Sequence, residues 1–573
     1  MSQTAVGKHP KGLFVLFFTE MWERFSYYGM RAILVLYIIN GLRFGDDYAQ
    51  NGVYGSYTGL VYLTPLLGGY IADKFWGNRR SIITGGILMA IGQFIMFFSA
   101  SNYQDQSLAN ILMWFGLCFI ILGNGFFKPN ISTMVGQLYN AGDKRLDAAF
   151  TIFYMGINLG SFIGPIICGG LAEKVDDANM ALPQFFKWGF FAAGIAMIIG
   201  TINFIWLKNK YIVSPQGTQI GVLPNAAKKD SQNAAQKVSI SYKSLAIWFG
   251  IAVVLFFVWQ SQGIDWVGCL IFSLPVAICG LIITDPSLTK VEKGKISVIF
   301  IAVFFVIFFW AAFEQGGSSL TLFAERDTDR SISISTKLGF VVFFILGIFG
   351  ILYAFLRKIM DIPREHNILF SILAVGAIGY GIYNLVLGVP YELPEIPASW
   401  FNSVNGLFII LFAPVMSQLW SFLGKKKLEP ASPKKQALGL LLLALGYLVI
   451  AIGVKDVTTK VSMFWLISLY ALHTVGEICV SPIGMSLVSQ LAPIRFLSLL
   501  MGVWFLSNAV ASKLAGKLST LKPDSGPKNF LGYEINNNFD FFILFVIMGA
   551  VAAAILFICS FWMEKKMNEK ELA

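Results

Sequence analysis

The run Glu20-Met21-Trp22-Glu23-Arg24-Phe25-Ser26-Tyr27-Tyr28-Gly29-Met30-Arg31 sits inside the first long apolar stretch, residues 12–40. At about 100° per residue, Glu20, Glu23, Arg24, Tyr27, Tyr28 and Arg31 share one helical face. Ionisable groups on one stripe of a membrane helix are costly in lipid, so that face turns toward protein or water. One reading is a salt-bridge ladder that only locks the fold. The other is a path for solute and protons.

The rest of the chain puts that helix in a bilayer. Of 573 residues, 56% are hydrophobic and 13% charged, with a mean hydropathy of +0.67. Soluble proteins carry about twice that charged fraction. About sixteen apolar runs are long enough to cross a hydrocarbon core of ~30 Å, which predicts an all-α polytopic membrane protein. The net charge of +11 comes from basic residues gathered in alternate short loops. That is the positive-inside pattern rather than a nucleic-acid footprint. An even number of crossings puts both termini in the cytoplasm, together with Lys425-Lys426-Lys427, Lys434-Lys435 and Lys565-Lys566. The first apolar run is too long, and too rich in carboxylates, for a cleavable signal peptide. Six cysteines lie in apolar segments and three histidines lie far apart, so neither a disulfide framework nor a metal or other cofactor is expected. No nucleophile–base pair or phosphate loop suggests an enzyme.

The runs divide the chain. Residues 1–207 predict an N-terminal six-helix bundle, and the polar stretch 208–243 a cytoplasmic linker. Residues 244–290 predict an extra transmembrane hairpin, and 291–573 a C-terminal six-helix bundle. A second inserted hairpin is expected at about 337–389. Its connecting loop, Arg357-Lys358 to Arg364, is basic, and the following loop holds Glu392 and Glu395 without Lys or Arg.

Charges recur inside other spans. Lys128 lies in Gly123-Asn124-Gly125-Phe126-Phe127-Lys128-Pro129-Asn130-Ile131-Ser132, where Pro129 cannot donate its backbone bond and should kink the helix. Asn158 lies in Phe153-Tyr154-Met155-Gly156-Ile157-Asn158-Leu159-Gly160-Ser161. Trp310 and Glu314 stand one turn apart, and Glu477 follows His473 by one turn. The deep acids Glu20, Glu23, Glu314 and Glu477 outnumber the deep bases Arg24, Arg31 and Lys128. At least one carboxylate therefore lacks a private cation, and such a group holds a proton near neutral pH. Glu23 and Glu314 are expected to share that duty, with Arg24 and Arg31 competing for them.

The same inventory suits a zwitterion. Arg31 and Lys128 can take a carboxylate, and Glu477 with Asn158 and Asn405 an amine. Tyr28 and Tyr62 can bind amide groups, while Trp310 and Trp504 offer apolar walls. A small peptide fits that description. In isolation, Asn158 reads as an interhelical hydrogen bonder, the tryptophans as packing residues, and His473 as an ordinary interhelical partner.

Glu-x-x-Glu-Arg-Phe with Tyr27-Tyr28 and Arg31, the string Phe-Phe-Lys-Pro-Asn-Ile-Ser, and Phe153 to Ser161 together closely resemble the proton-coupled oligopeptide transporters. That family belongs to the major facilitator superfamily. The resemblance implies two six-helix bundles, proton-driven import of di- and tripeptides across a bacterial cytoplasmic membrane, and function as a monomer. It implies proton coupling through Glu20, Glu23, Arg24, Glu314 and Lys128. It also implies a substrate clamp that includes Ser481, in the stretch after Glu477. Gating would use alternating pairs, Arg31 with Glu314 and Lys128 with Glu477. Asp73 to Arg80 is similar to the superfamily's cytoplasmic gating loop, which brings in Asp73 and Arg79. Animal members carry a titrating His seven residues before the matched Tyr62; here that position is Gly55. Proton coupling then rests on carboxylates.

A carrier of another small anionic or amino-acid-like solute is the alternative, and a non-transporting peptide receptor a remoter one. A proton falling through ~100 mV yields about 2.3 kcal/mol, and one pH unit about 1.4 more. Together they sustain a solute gradient on the order of 10² to 10³.

Overall fold

The computed structural model describes residues 9–140, 143, 145–176, 181–222, 242–331, 395–455, 457 and 459–569. Among them, 12 helices are long and apolar enough to cross a membrane. Two more pack beside these. One is α1 (Lys11–Leu36), which carries the charged stripe. The other is α2 (Ser56–Ile71), extended by π-helical turns at Tyr48–Gly55 and Ala72–Trp76. With 26 residues, α1 is about 39 Å long at the usual rise, enough to span.

The first half continues with α3 (Asn78–Ser101), α4 (Gln106–Gln137), α5 (Leu146–Ala172) and α6 (Phe186–Tyr211). Helix α1 packs on α5 and α6, α3 on α4 and α6, and α2 on α4. Small residues set these approaches: a Cβ on Gly92 would stand 2.7 Å from the Gly116 carbonyl oxygen.

Next comes a hairpin of α7 (Tyr242–Ser261) and α8 (Trp266–Ile283). No residue of α7 is buried, and the helix is apolar throughout, so it faces lipid and leans on α8. Asp265 starts α8 by accepting from Gly268 N at 3.0 Å.

The second half opens with α9 (Lys290–Phe313), begun by a capping box of Thr289 and Glu292. A 3₁₀ turn at Glu314–Gly317 leads into α10 (Ser319–Arg326), completing one crossing. Helices α11 (Phe401–Lys425), α12 (Ser432–Val454), α13 (Met463–Leu491), α14 (Leu497–Ser519) and α15 (Asn538–Met567) follow. Helix α12 packs on α13 and α15, α9 on α14 and α15, and α11 on α13. Two seams join the halves, α5 against α11 and α2 against α14, and α8 lies across the second. A short parallel pairing of Thr328–Asp329 with Val461–Ser462 ties the end of α10 to the start of α13. The hairpin expected at about 337–389 lies outside the described residues.

Candidate functional site

The stripe on α1 faces the interior. Glu20, Glu23 and Arg24 are each at most 3% exposed. Arg24 Nε donates to Glu20 Oε1 at 2.8 Å and stands 2.6 Å from Glu23 Oε2. The second contact is ionic, without the alignment of a hydrogen bond, so one guanidinium serves two carboxylates. Asn124 Nδ2 in α4 donates to Glu23 Oε1 at 3.0 Å.

Two turns further along, Arg31 crosses to the other half. Its Nη2 meets Glu314 Oε2 at 2.5 Å, and its Nε donates to the Tyr54 hydroxyl at 2.7 Å. The 3₁₀ turn after α9 presents Glu314 to the first half. The Arg31 guanidinium also lies 5.7 Å from the centre of the Tyr28 ring. Gly55, the position where a histidine would stand in animal members, offers no room. A Cβ there would lie 3.1 Å from Gly516 Cα.

Lys128 and Glu477 do not meet. Among the described residues Lys128 makes no ion pair; its ammonium sits 4.1 Å from the centre of the Tyr62 ring. Glu477 Oε2 accepts from Asn405 Nδ2 at 2.9 Å, and Asn405 also donates to Thr474 Oγ1 at 3.1 Å. Of the expected alternating pairs, one is formed and the other is apart.

The remaining expected site residues divide. Trp310 stands edge-on to Phe309 and Phe313, half-buried. Asn158 spends its Nδ2 on Tyr154 O at 2.9 Å within its own helix. Ser481 Oγ is a buried atom on α13. Trp504 is 3% exposed, with its indole packed close on Gly484 of α13. Asp73 and Arg79 are not bonded to each other among the described residues. Asp73 is exposed, whereas Arg79 bonds the carbonyls of Ile220 (2.6 Å) and Ile212 (2.6 Å) and the side chain of Asn209 (2.8 Å). Arg79 is a pin holding residues 208–220 beneath the first half. His473 is buried against Tyr447, with ring centres 4.8 Å apart, and its Nε2 has no hydrogen-bond partner among the described residues.

Other cross-half contacts gather at the same end as Arg31–Glu314. Arg326 Nη1 reaches Asp46 of the first half at 2.6 Å, and Asp524 of its own half at 2.7 Å. Asn40 donates to Glu325, and Ser318 Oγ to Gln50 Oε1 at 3.3 Å. Glu173, at the end of α5, accepts from Ala398 N (2.7 Å) and Ser399 N (3.0 Å) at the start of α11. Toward the lysine-rich loops, Leu67 and Tyr70 are 66% and 57% exposed, and Tyr154 and Met485 are exposed as well. The polar contacts between the halves gather at the end away from the lysine-rich loops, called the sealed end below, and the opposite end the parted end.

Sequence reading missed Tyr54, Asn124, Glu173 and Lys513. Lys513 is a fourth deep base, visible as a lysine inside an apolar run. The other three are polar residues of ordinary appearance, selected only by the partners that folding brings.

Comparison with known proteins agrees with this architecture. The POT family model matches residues 79–360 and 392–529. The chain is 32% identical over 521 residues to an uncharacterised transporter, YclF, of Bacillus subtilis, covering 90% of this chain and 88% of that one. It is 32% identical to the peptide transporter YePEPT of Yersinia enterocolitica (89% and 87% covered). It is 28% identical to a di-/tripeptide transporter of Lactococcus lactis (96% and 95%). A crystal structure of a mutant peptide transporter POT in complex with alafosfalin superposes with a TM-score of 0.71 at 29% identity, covering 99% and 98%. Matches of that extent, on a nearly all-helical fold of two six-helix halves, establish a multi-pass membrane transporter and not an enzyme: the chain belongs to the POT family.

Proposed function

We propose that this transporter imports di- and tripeptides with protons by alternating access across a bacterial cytoplasmic membrane. Both termini and the lysine-rich loops would lie in the cytoplasm, and the monomer would be the working unit. The observation that carries the reading is the asymmetry of the two charged pairs: Arg31–Glu314 is closed across the halves while Lys128 and Glu477 are apart. With the lysine-rich loops inside, this is a conformation sealed to the exterior and open to the cytoplasm.

A peptide carboxylate would go to Lys128, and to Arg31 once Glu314 takes up a proton and releases it. The peptide amine would replace Asn405 beside Glu477. Tyr28 and Tyr62 would hold the amide groups, with Asn158 and Ser481 at the margins, and Trp310 would face the side chains. Glu20 and Glu23 around one Arg24 form a second proton station. One guanidinium cannot neutralise two buried carboxylates, so a proton on either carboxyl resolves the excess charge. Relatives described as peptide and di-/tripeptide transporters support the substrate class. A different small zwitterion is the second reading, favoured by a related structure in complex with 5-aminolevulinic acid.

The test is dialanine uptake into proteoliposomes under an inward proton gradient, for the wild type and Glu23→Gln. Accumulation that a protonophore collapses, with the variant retaining counterflow only, is the expected result. No uptake of di- or tripeptides would remove the peptide assignment. Equal driven accumulation by the variant would move the proton station to Glu314.

A further inference from the structure

Lys513 is a buried cation that the reading above does not use. It lies in α14 and is 1% exposed. Its ammonium has three donors and no acceptor. Those donors reach Asn51 O at 2.9 Å, Ser56 Oγ at 2.9 Å and Asp265 Oδ2 at 2.6 Å. The first two partners belong to the start of α2 in the first half. The third caps α8 of the extra hairpin, with its other oxygen held by Gly268 N. Three separate parts of the fold therefore converge on one nitrogen.

The convergence lies on the seam that closes the sealed end. Gly55 of the first half and Gly516 of α14 touch backbone to backbone, and a Cβ on Gly59 would stand 2.7 Å from Ile271 Cδ1 of α8. Gln315, next to Glu314, donates to Ala515 O at 3.0 Å and accepts from Ser519 Oγ at 2.9 Å. The Lys513 cluster thus sits within two turns of the α14 residues that grip Gln315, the neighbour of Glu314. When this end opens, α2 leaves α14, and Lys513 loses two acceptors of three. Both lost partners are neutral; Asp265 is its charged one. A buried lysine with no counter-charge would oppose opening strongly.

We propose that the α7–α8 hairpin supplies, through Asp265, the standing counter-charge that lets Lys513 release α2, which makes Lys513 and Asp265 a gating pair and the hairpin a part of the gate. This rests on the alternating-access reading. The hairpin then follows α14 as the seam parts, with Asp265 as its tether. Ser56 and Asn51 act as a neutral latch, strong enough to align the seam and weak enough to be released in each cycle.

Asp265→Asn, Lys513→Met and the double variant test this in the full chain in proteoliposomes. Asparagine keeps the cap on α8, so the hairpin still starts where it should. Methionine keeps the volume of the lysine stem. Asp265→Asn is expected to lower the initial rate of driven dialanine uptake about tenfold, with peptide-induced thermal stabilisation intact. Adding Lys513→Met should restore the rate to within about threefold, because no buried charge then remains. A rate like wild type in Asp265→Asn, or no rescue by Lys513→Met, would overturn the proposal. Loss of both transport and peptide-induced stabilisation in Asp265→Asn would mark the pair as a folding lock and overturn it equally. Distance distributions between spin labels at positions 102 and 531, across the sealed end, read the gate without any substrate. Asp265→Asn should deplete the open population there even if dipeptides prove not to be the cargo, and an unchanged distribution would count against the pair.

Discussion

Two charged pairs face each other across the same halves, and they are kept in opposite conditions. At the sealed end Arg31 and Glu314 hold each other directly, with Tyr54 completing the guanidinium. At the parted end Lys128 rests on the Tyr62 ring and Glu477 on Asn405, each inside its own half. Breaking a buried pair by deleting one member costs about 3–5 kcal/mol, because a charge is left alone. A desolvated cation–π contact returns about 2 kcal/mol, and a hydrogen bond to a charged group about 1.5–3. These substitutes bring the open arrangement close to the closed one in energy, as alternation requires. A charge that must separate repeatedly needs a neutral partner waiting on its own side.

The largest expected effect comes from removing a charge at the closed pair. Glu314→Gln leaves Arg31 without its counter-charge and should reduce proton-driven accumulation at least about 100-fold, while exchange of preloaded peptide persists. Uptake assays with and without a gradient separate the two. Persistence of driven accumulation would show that Glu314 is dispensable to coupling. The next effect strikes the substitutes at the open pair. Tyr62→Leu removes the ring under Lys128 and should favour its pairing with Glu477, closing the cytoplasmic end by about 1–2 kcal/mol. Tyr62→Phe keeps the ring and should leave that equilibrium nearly unchanged. Cysteine-labelling rates at the cytoplasmic mouth give the readout, and equal behaviour of the two variants would reject the ring's role. Asn405→Ala strips the carboxylate partner instead and should act in the same direction, by about 1–2 kcal/mol.

How much of this was legible in the sequence differs between the same two regions. The α1 stripe could be read because ionisable groups in an apolar run have few tolerable explanations, and periodicity puts them on one face. The four acids and three bases were found for the same reason. Lys513 was equally visible as a charge in an apolar run, but its meaning depends on Asp265, nearly 250 residues away in sequence. Tyr54 and Asn124 carry no charge, and nothing local distinguishes a tyrosine that caps an arginine from one that packs. Trp504 shows the same limit: its indole packs close on Gly484, a neighbour that nothing in the local sequence names. Spacing reports which residues share a face of one helix. Which face meets which is a property of the assembled bundle.

The smallest expected effect concerns the rim of the sealed end, where a carboxylate rather than an ion pair joins the halves. Glu173 follows the last turn of α5, half-buried, and takes the free N–H groups of Ala398 and Ser399 at the start of α11. Burial pushes its carboxyl from 4.5 up to about 7, against the opposing pull of the Ser399 hydrogen bonds and the Arg330 guanidinium, with Glu325 adding to the rise. In the opened form the group returns to water and titrates near its ordinary value. The sealed form therefore binds a proton more tightly between those two values. Sealing gains as pH falls from about 7 toward 4.5, and the gain disappears as pH rises through about 7. Below 4.5 both forms are protonated and the dependence ends. The half-buried position keeps the change below about tenfold in the ratio of forms. Spin-label distances across this end should thus shift toward the sealed population between about pH 8 and about pH 5 in the wild type. In Glu173→Gln, which is neutral throughout, the ratio should stay flat. An identical slope in the variant would assign the titration to Glu325, which stands on the same rim and hydrogen-bonds Asn40 across the halves.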